Sequence, residues 1–267
     1  MKEFFSTNGI CYKINDFQPN RKSLVFIHGL TGSISAWREY EKKFESDYNI
    51  LNIDLRGHGK SKKFKSSKDY QIKTFAEDIY QIIVTLKLER CVLISHSFGT
   101  LIALELLLSH PQIAESVIFL STTYDADKTL AAKLTKPFLK FAVAIIERLP
   151  FFNRTGRHID YANYSNVGDW DIKLNIADIH NTSLRTYLLT LQHVYQTDYN
   201  SLWQSVSIPA LIVHGKNDSV IPAKHALAMA EKISGSKLIL IDNANHLFVI
   251  NNIPETLAVI QGFISKT

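Results

Sequence analysis

Cysteine is scarce in this chain, with only Cys11 and Cys91 among 267 residues, which excludes a small scaffold framed by disulfides. The two lie in separate strand-like runs and are expected to stay reduced. Long apolar runs are missing as well. The longest, including Phe141 to Ile146, fall well short of the ~20 residues that span a bilayer. No basic stretch with an apolar core and cleavage site follows Met1-Lys2-Glu3, so the expected location is cytoplasmic, with no membrane partner. His158, His180 and His193 lack metal-ligand spacing, and neither a metal nor a cofactor is expected. Charge of either sign is modest, at net +5. Its basic cluster (Lys60, Lys62, Lys63, Lys65 and Lys68) stands in a serine-rich loop. That pattern reads as a solvated face, and no nucleic-acid partner is expected. No internal repeat or low-complexity linker is evident.

What is present describes an ordinary globular protein, 46% hydrophobic and 21% charged, long enough for one large domain with an insertion. Residues 2–15 read as a β-hairpin turning at Asn8-Gly9. Strands are expected near 23–29, 48–54, 90–95, 116–121, 210–215 and 237–242, and helices near 34–46, 72–87, 98–110, 222–234 and 254–265. Strand alternating with helix implies an α/β architecture, with a doubly wound, mostly parallel eight-stranded sheet and an antiparallel start. The gap between 116–121 and 210–215 is too long for a plain crossover. It contains a helical pattern from Thr129 to Leu149, interrupted at Pro137.

Chemistry concentrates at residues 90–109, RCVLISHSFGTLIALELLLS. A short β-rich apolar run without alternation is a strand buried on both faces. The apolar run from Leu101 to Leu108 is a helix buried all round. The turn between them lifts the hydroxyl of Ser97 onto a corner at the carboxyl edge of the sheet, where open α/β proteins bind ligands. Its neighbours must be small. Gly99 meets that need, and Ser95 stands where the G-x-S-x-G elbow has glycine.

A serine hydroxyl needs a base to take its proton and an acid to orient the base. Asp218 follows the strand at 210–215 and His246 follows the strand at 237–242, in the order such sheets use. An oxyanion hole needs two backbone N–H donors. Phe98, after the serine, supplies one, and Leu30, in the loop opened by Gly29 and Gly32, is the candidate for the other. His28, at a strand end before glycine, reads as structural.

Together the segments HGLTG (28–32), DLRGHGKS (54–61), SHSFG (95–99), HGKND (214–218) and the pair Asn245-His246 resemble the α/β-hydrolase family over essentially the whole chain. The resemblance implies Ser97 as nucleophile, Asp218 as acid, His246 as base, and Leu30 with Phe98 as oxyanion donors. It gives Asp54 and Arg56 a shaping role and no catalytic one. It also implies a helical cap at 123–203 inserted into a core of 1–122 and 204–267. The aromatics of that cap are expected mostly to form its own small core, with a few lining an apolar pocket over Ser97.

The activity implied is hydrolysis of a carboxylic ester or lactone of a small, largely apolar substrate through an acyl-enzyme, by a monomer or homodimer. Carbon–carbon bond hydrolysis, perhydrolysis and acyl transfer share the machinery and stay open. So does a ligand receptor on the same fold. A carboxylate nucleophile, as in dehalogenases and epoxide hydrolases, is excluded by the serine.

Overall fold

The computed structural model describes residues 1–122 and 130–267. The apolar runs become strands β1 (Lys2–Phe5), β2 (Cys11–Ile14), β3 (Ser23–Ile27), β4 (Asn49–Ile53), β5 (Cys91–His96), β6 (Ala114–Leu120), β7 (Ala210–Gly215) and β8 (Lys237–Ile241). They form one sheet in the order β1-β2-β4-β3-β5-β6-β7-β8. Pairings β1/β2 and β2/β4 are antiparallel and all others parallel. The first hairpin turns through Gly9 at φ +77, a conformation that favours glycine.

The central strands are buried on both faces because successive side chains point to opposite sides. Val25, Ile27, Leu93, Val117, Phe119 and Ile212 enter one apolar cluster. Leu24, Phe26, Val92, Ile94, Ile118 and Val213 enter the other. Helices α1 (Arg38–Phe44), α2 (Ile72–Thr85) and α3 (Phe98–Ser109) follow the early strands. Helix α2 turns Ile72, Phe75, Ala76, Ile79, Ile82 and Ile83 inward at helical spacing. Helix α3 is buried on almost every side. Tyr40 and Phe44 of α1 cover the opposite face of the sheet.

Between β6 and β7 the chain forms α4 (Leu130–Arg148), α5 (Ile172–Thr182) and α6 (Leu184–Gln196). After β7 come α7 (Lys224–Lys232), α8 (Phe248–Asn251) and α9 (Ile253–Ile264). Thr129 and the expected boundary at residue 123 lie outside the described residues. Among the described residues no helix is long and apolar enough to cross a membrane.

Four expectations need correction. The helix expected at 34–46 begins as a 3-10 turn, Ile34–Trp37. The Ile34 N–H is bound to Asp54 Oδ1 and its carbonyl to Asn52, which ties the first turn to the sheet edge. Helix α4 runs on through Pro137 without interruption. That proline is exposed, where water can serve the carbonyl its ring leaves unpaired. The inserted aromatics do not form a core of their own. Phe138, Phe141 and Phe152 are exposed, whereas Leu139 and Val143 on α4 join the main cluster, so the insertion packs against the sheet domain. Finally, the lysine cluster is not a uniformly solvated face: Lys60 pairs with Glu3, and Lys63 is only 4% exposed.

Candidate active site

Ser97 links β5 to α3 at φ 51, ψ −118, a region that L-residues avoid. Strand β5 is held on both sides, and the Ser97 N–H donates to the Leu120 carbonyl at 2.9 Å. The chain therefore reverses within one residue. A β-carbon on Gly99 would lie 2.7 Å from the carbonyl oxygens of Ile27 and His28, so no other residue fits. Ser95 is accommodated where glycine is usual because its buried hydroxyl donates to the Ile118 carbonyl at 3.1 Å.

The loops after β7 and β8 bring Asp218 and His246 to this corner. His246 Nε2 lies 2.9 Å from Ser97 Oγ, and Nδ1 lies 2.8 Å from Asp218 Oδ2. With Nδ1–H donating to the carboxylate, Nε2 is left to accept the serine proton. Burial pushes the Asp218 carboxyl upward. Hydrogen bonds from His214 and His246, the His246 charge and the Ile221 N–H outweigh it and hold the group well below its usual range. The Val220 and Ile221 N–H groups donate to its Oδ1 at 3.0 and 2.7 Å. His96, pushed down to about 3 chiefly by burial, is a neutral ring whose Nε2–H donates to the His246 carbonyl at 3.0 Å.

Leu30 and Phe98 border the same cavity as Ser97. Neither N–H donates to an acceptor among the described residues. The loop carrying Leu30 is folded by a Gly32 N–H to Gly29 carbonyl bond of 3.1 Å. His28, 1% exposed, accepts the Leu55 N–H through Nε2 at 3.0 Å, and its Nδ1 lies 2.8 Å from the Gly29 carbonyl. Both ring nitrogens are thus committed to backbone.

Asp54 is fully buried and accepts from the Ile34 and Lys60 N–H groups and from His158. Arg56 makes a buried bidentate pair with Asp78 at 2.7 and 2.8 Å. Neither borders the Ser97 cavity.

That cavity holds about 340 Å3 and is roofed by the insertion. Of its aromatics, Tyr161, Trp170, Tyr187 and Tyr195 line it. Two acids lining it escaped sequence reasoning. Asp169 Oδ1 accepts the His246 N–H at 2.7 Å, and Oδ2 accepts the Ser219 N–H at 2.8 Å and its hydroxyl at 2.7 Å. One carboxylate of the insertion thereby ties the loops of the base and the acid together. Asp178 Oδ1 accepts the Tyr161 hydroxyl at 3.1 Å. No local motif marks either residue, because their partners are more than fifteen residues away.

The histidines of the insertion do not converge. His158 bonds Asp54 at 2.7 Å, and His193 bonds the Ser67 carbonyl at 2.8 Å. Glu3, Cys11 and His158 do meet with ligand-type atoms within 4.8 Å of one another. Glu3, however, already holds the Lys60 ammonium at 2.8 Å, and burial pushes the Cys11 thiol well above its ordinary range. Glu3 and His158 are thus committed to Lys60 and Asp54, outside the trio, and a thiolate ligand would be costly there.

An eight-stranded sheet with a strained serine corner, and a histidine and an aspartate at its carboxyl edge, defines the class. The family model described as alpha/beta hydrolase fold matches residues 22–253, and the chain belongs to that family. Among similar curated proteins, an (E)-2-((N-methylformamido)methylene)succinate hydrolase from Acinetobacter baylyi is 23% identical over 257 residues, covering 94% of this chain and 93% of its own. A putative esterase/lipase from Haemophilus influenzae is 25% identical, covering 92% and 84%. Among solved structures, the enol-lactonase from Burkholderia xenovorans superposes with a TM-score of 0.74 at 19% identity, covering 96% of each chain.

Proposed function

We propose that the chain is a serine hydrolase that cleaves a carboxylic ester or lactone through an acyl-enzyme on Ser97. The observation that carries this reading is the unbroken hydrogen-bonded line from Ser97 Oγ through His246 to Asp218, 2.9 and 2.8 Å. His246 takes the hydroxyl proton as Ser97 attacks the carbonyl carbon, and Asp218 stabilises the imidazolium. The N–H groups of Leu30 and Phe98 receive the developing oxyanion, each such donor contributing about 3–4 kcal/mol. The protonated His246 then gives its proton to the departing alcohol. Water, deprotonated by the same ring, releases the acid and restores the hydroxyl. Segment 123–203 acts as the cap.

The lining favours a neutral or cationic, largely apolar substrate. Its side chains among the described residues include Asp169 and Asp178 but no lysine or arginine. A dicarboxylate such as the succinate in the relative's name would meet no cation here. The test is turnover of p-nitrophenyl acetate and of a p-nitrophenyl succinate half-ester by the wild type and Ser97→Ala. The neutral ester is expected to be preferred, and the variant to lose four to six orders of magnitude in turnover. Wild-type turnover by Ser97→Ala would refute the assignment.

A further inference from the structure

A second cavity of about 470 Å3 opens beside the first, bounded by the loop after residue 60, segment 152–159 and helix α5. The two cavities share α5 as a wall. Leu174, Asp178 and Ile179 face the Ser97 side, and Ala177, His180 and Asn181 face the other. The second cavity has the opposite electrostatic character. Lys63, Arg154, Arg157, His158 and His180 line it, and no acid does so among the described residues.

Two of its donors are buried with nothing to bind. Lys63 is 4% exposed and Asn181 8% exposed. Neither the Lys63 ammonium nor Asn181 Nδ2 has a hydrogen-bond partner among the described residues. The Asn181 orientation is set by its Oδ1, which accepts the Arg157 N–H. A buried ammonium without an acceptor is costly. Burial, opposed by the Asp54 charge and reinforced by Arg154, pushes Lys63 down to about 8. Both nitrogens are sealed off as placed, and a small rotation of each toward the cavity that its side chain lines would let an oxyanion there remove both deficits at once.

We infer that this cavity is a binding site for a small organic phosphate, its phosphoryl oxygens accepting from Lys63, Asn181 and the arginines at the rim. A phosphate carries the multiple acceptor oxygens that this donor set requires. The volume lies in the range of ordinary ligand pockets and leaves space for an organic portion. The site does not depend on the chemistry assigned to Ser97, since its readout is binding.

The test is calorimetric titration of the whole protein with glycerol 3-phosphate and with inorganic phosphate, at constant ionic strength maintained with chloride. Saturable binding of the phosphoester, tighter than that of inorganic phosphate, is expected. Equal affinity for both would support the site with the free ion as its ligand. Lys63→Met should weaken binding about tenfold or more, while the ligand-free melting temperature stays level or rises because the buried charge is gone. Arg154→Ala, at an exposed position that does not threaten folding, should weaken it severalfold. Absence of saturable binding at millimolar concentrations, or unchanged affinity in both variants, would overturn the inference.

Discussion

At Asp178 the fold takes a carboxyl out of water with only the Tyr161 hydroxyl bonded to it among the described residues. Burial raises its pKa to about 7 from 3.8, the Tyr161 bond pulling the other way. Between those values the folded protein holds a proton that the unfolded chain has released, so stability falls as pH rises through that window. Urea unfolding from pH 4 to 7 should show this decline in the wild type and a flatter profile in Asp178→Asn. Parallel profiles would mean that Asp178 ionises as an ordinary surface acid. This residue was not legible in the sequence, because an aspartate within a helical pattern carries no mark of what will cover it. Ser97 was legible, since the apolar strand, small neighbours and apolar helix that create its strain are contiguous. Asp218 and His246 were legible from the strands that precede them.

Elements that pack on the sheet are legible in the sequence, whereas the insertion is much less so. Strand and helix limits in the core follow from burial on two faces, and a period of two or 3.6 reports burial directly. The insertion lies on another surface and leaves several large apolar residues exposed there, so apolar character alone does not report which of them are buried. Phe138 and Leu139 are adjacent, yet one is exposed and the other buried. This element meets the loops at the Ser97 corner through segment 167–169. The Val167 carbonyl accepts from Asn245 and Asn251, and Asp169 grips the His246 and Ser219 N–H groups. On the proposed mechanism Asp169 serves as a positioning residue. Asp169→Ala should lower kcat for a neutral ester by about 10- to 100-fold, the scale of a misplaced catalytic group. KM should change little, because the apolar lining is intact. A rise in KM with kcat unchanged would instead assign Asp169 to substrate binding.

Over the whole molecule, parallel strands β5, β7 and β8 deliver a serine, an aspartate and a histidine to one edge of the sheet. The residues are 28 to 149 positions apart in sequence. The mostly parallel sheet with its antiparallel start could be read in advance from the alternating elements, and this convergence from the loops that follow β5, β7 and β8. The pocket could not, since the insertion builds much of it and opposes an acidic cavity to a cationic one across a single helix. The central claim is that this convergence makes one hydroxyl reactive, and labelling with a fluorophosphonate probe followed by peptide mapping tests it most directly. The expected result is a single adduct on Ser97 that His246→Ala abolishes. Labelling at another residue, or no labelling of the folded wild type, would contradict it.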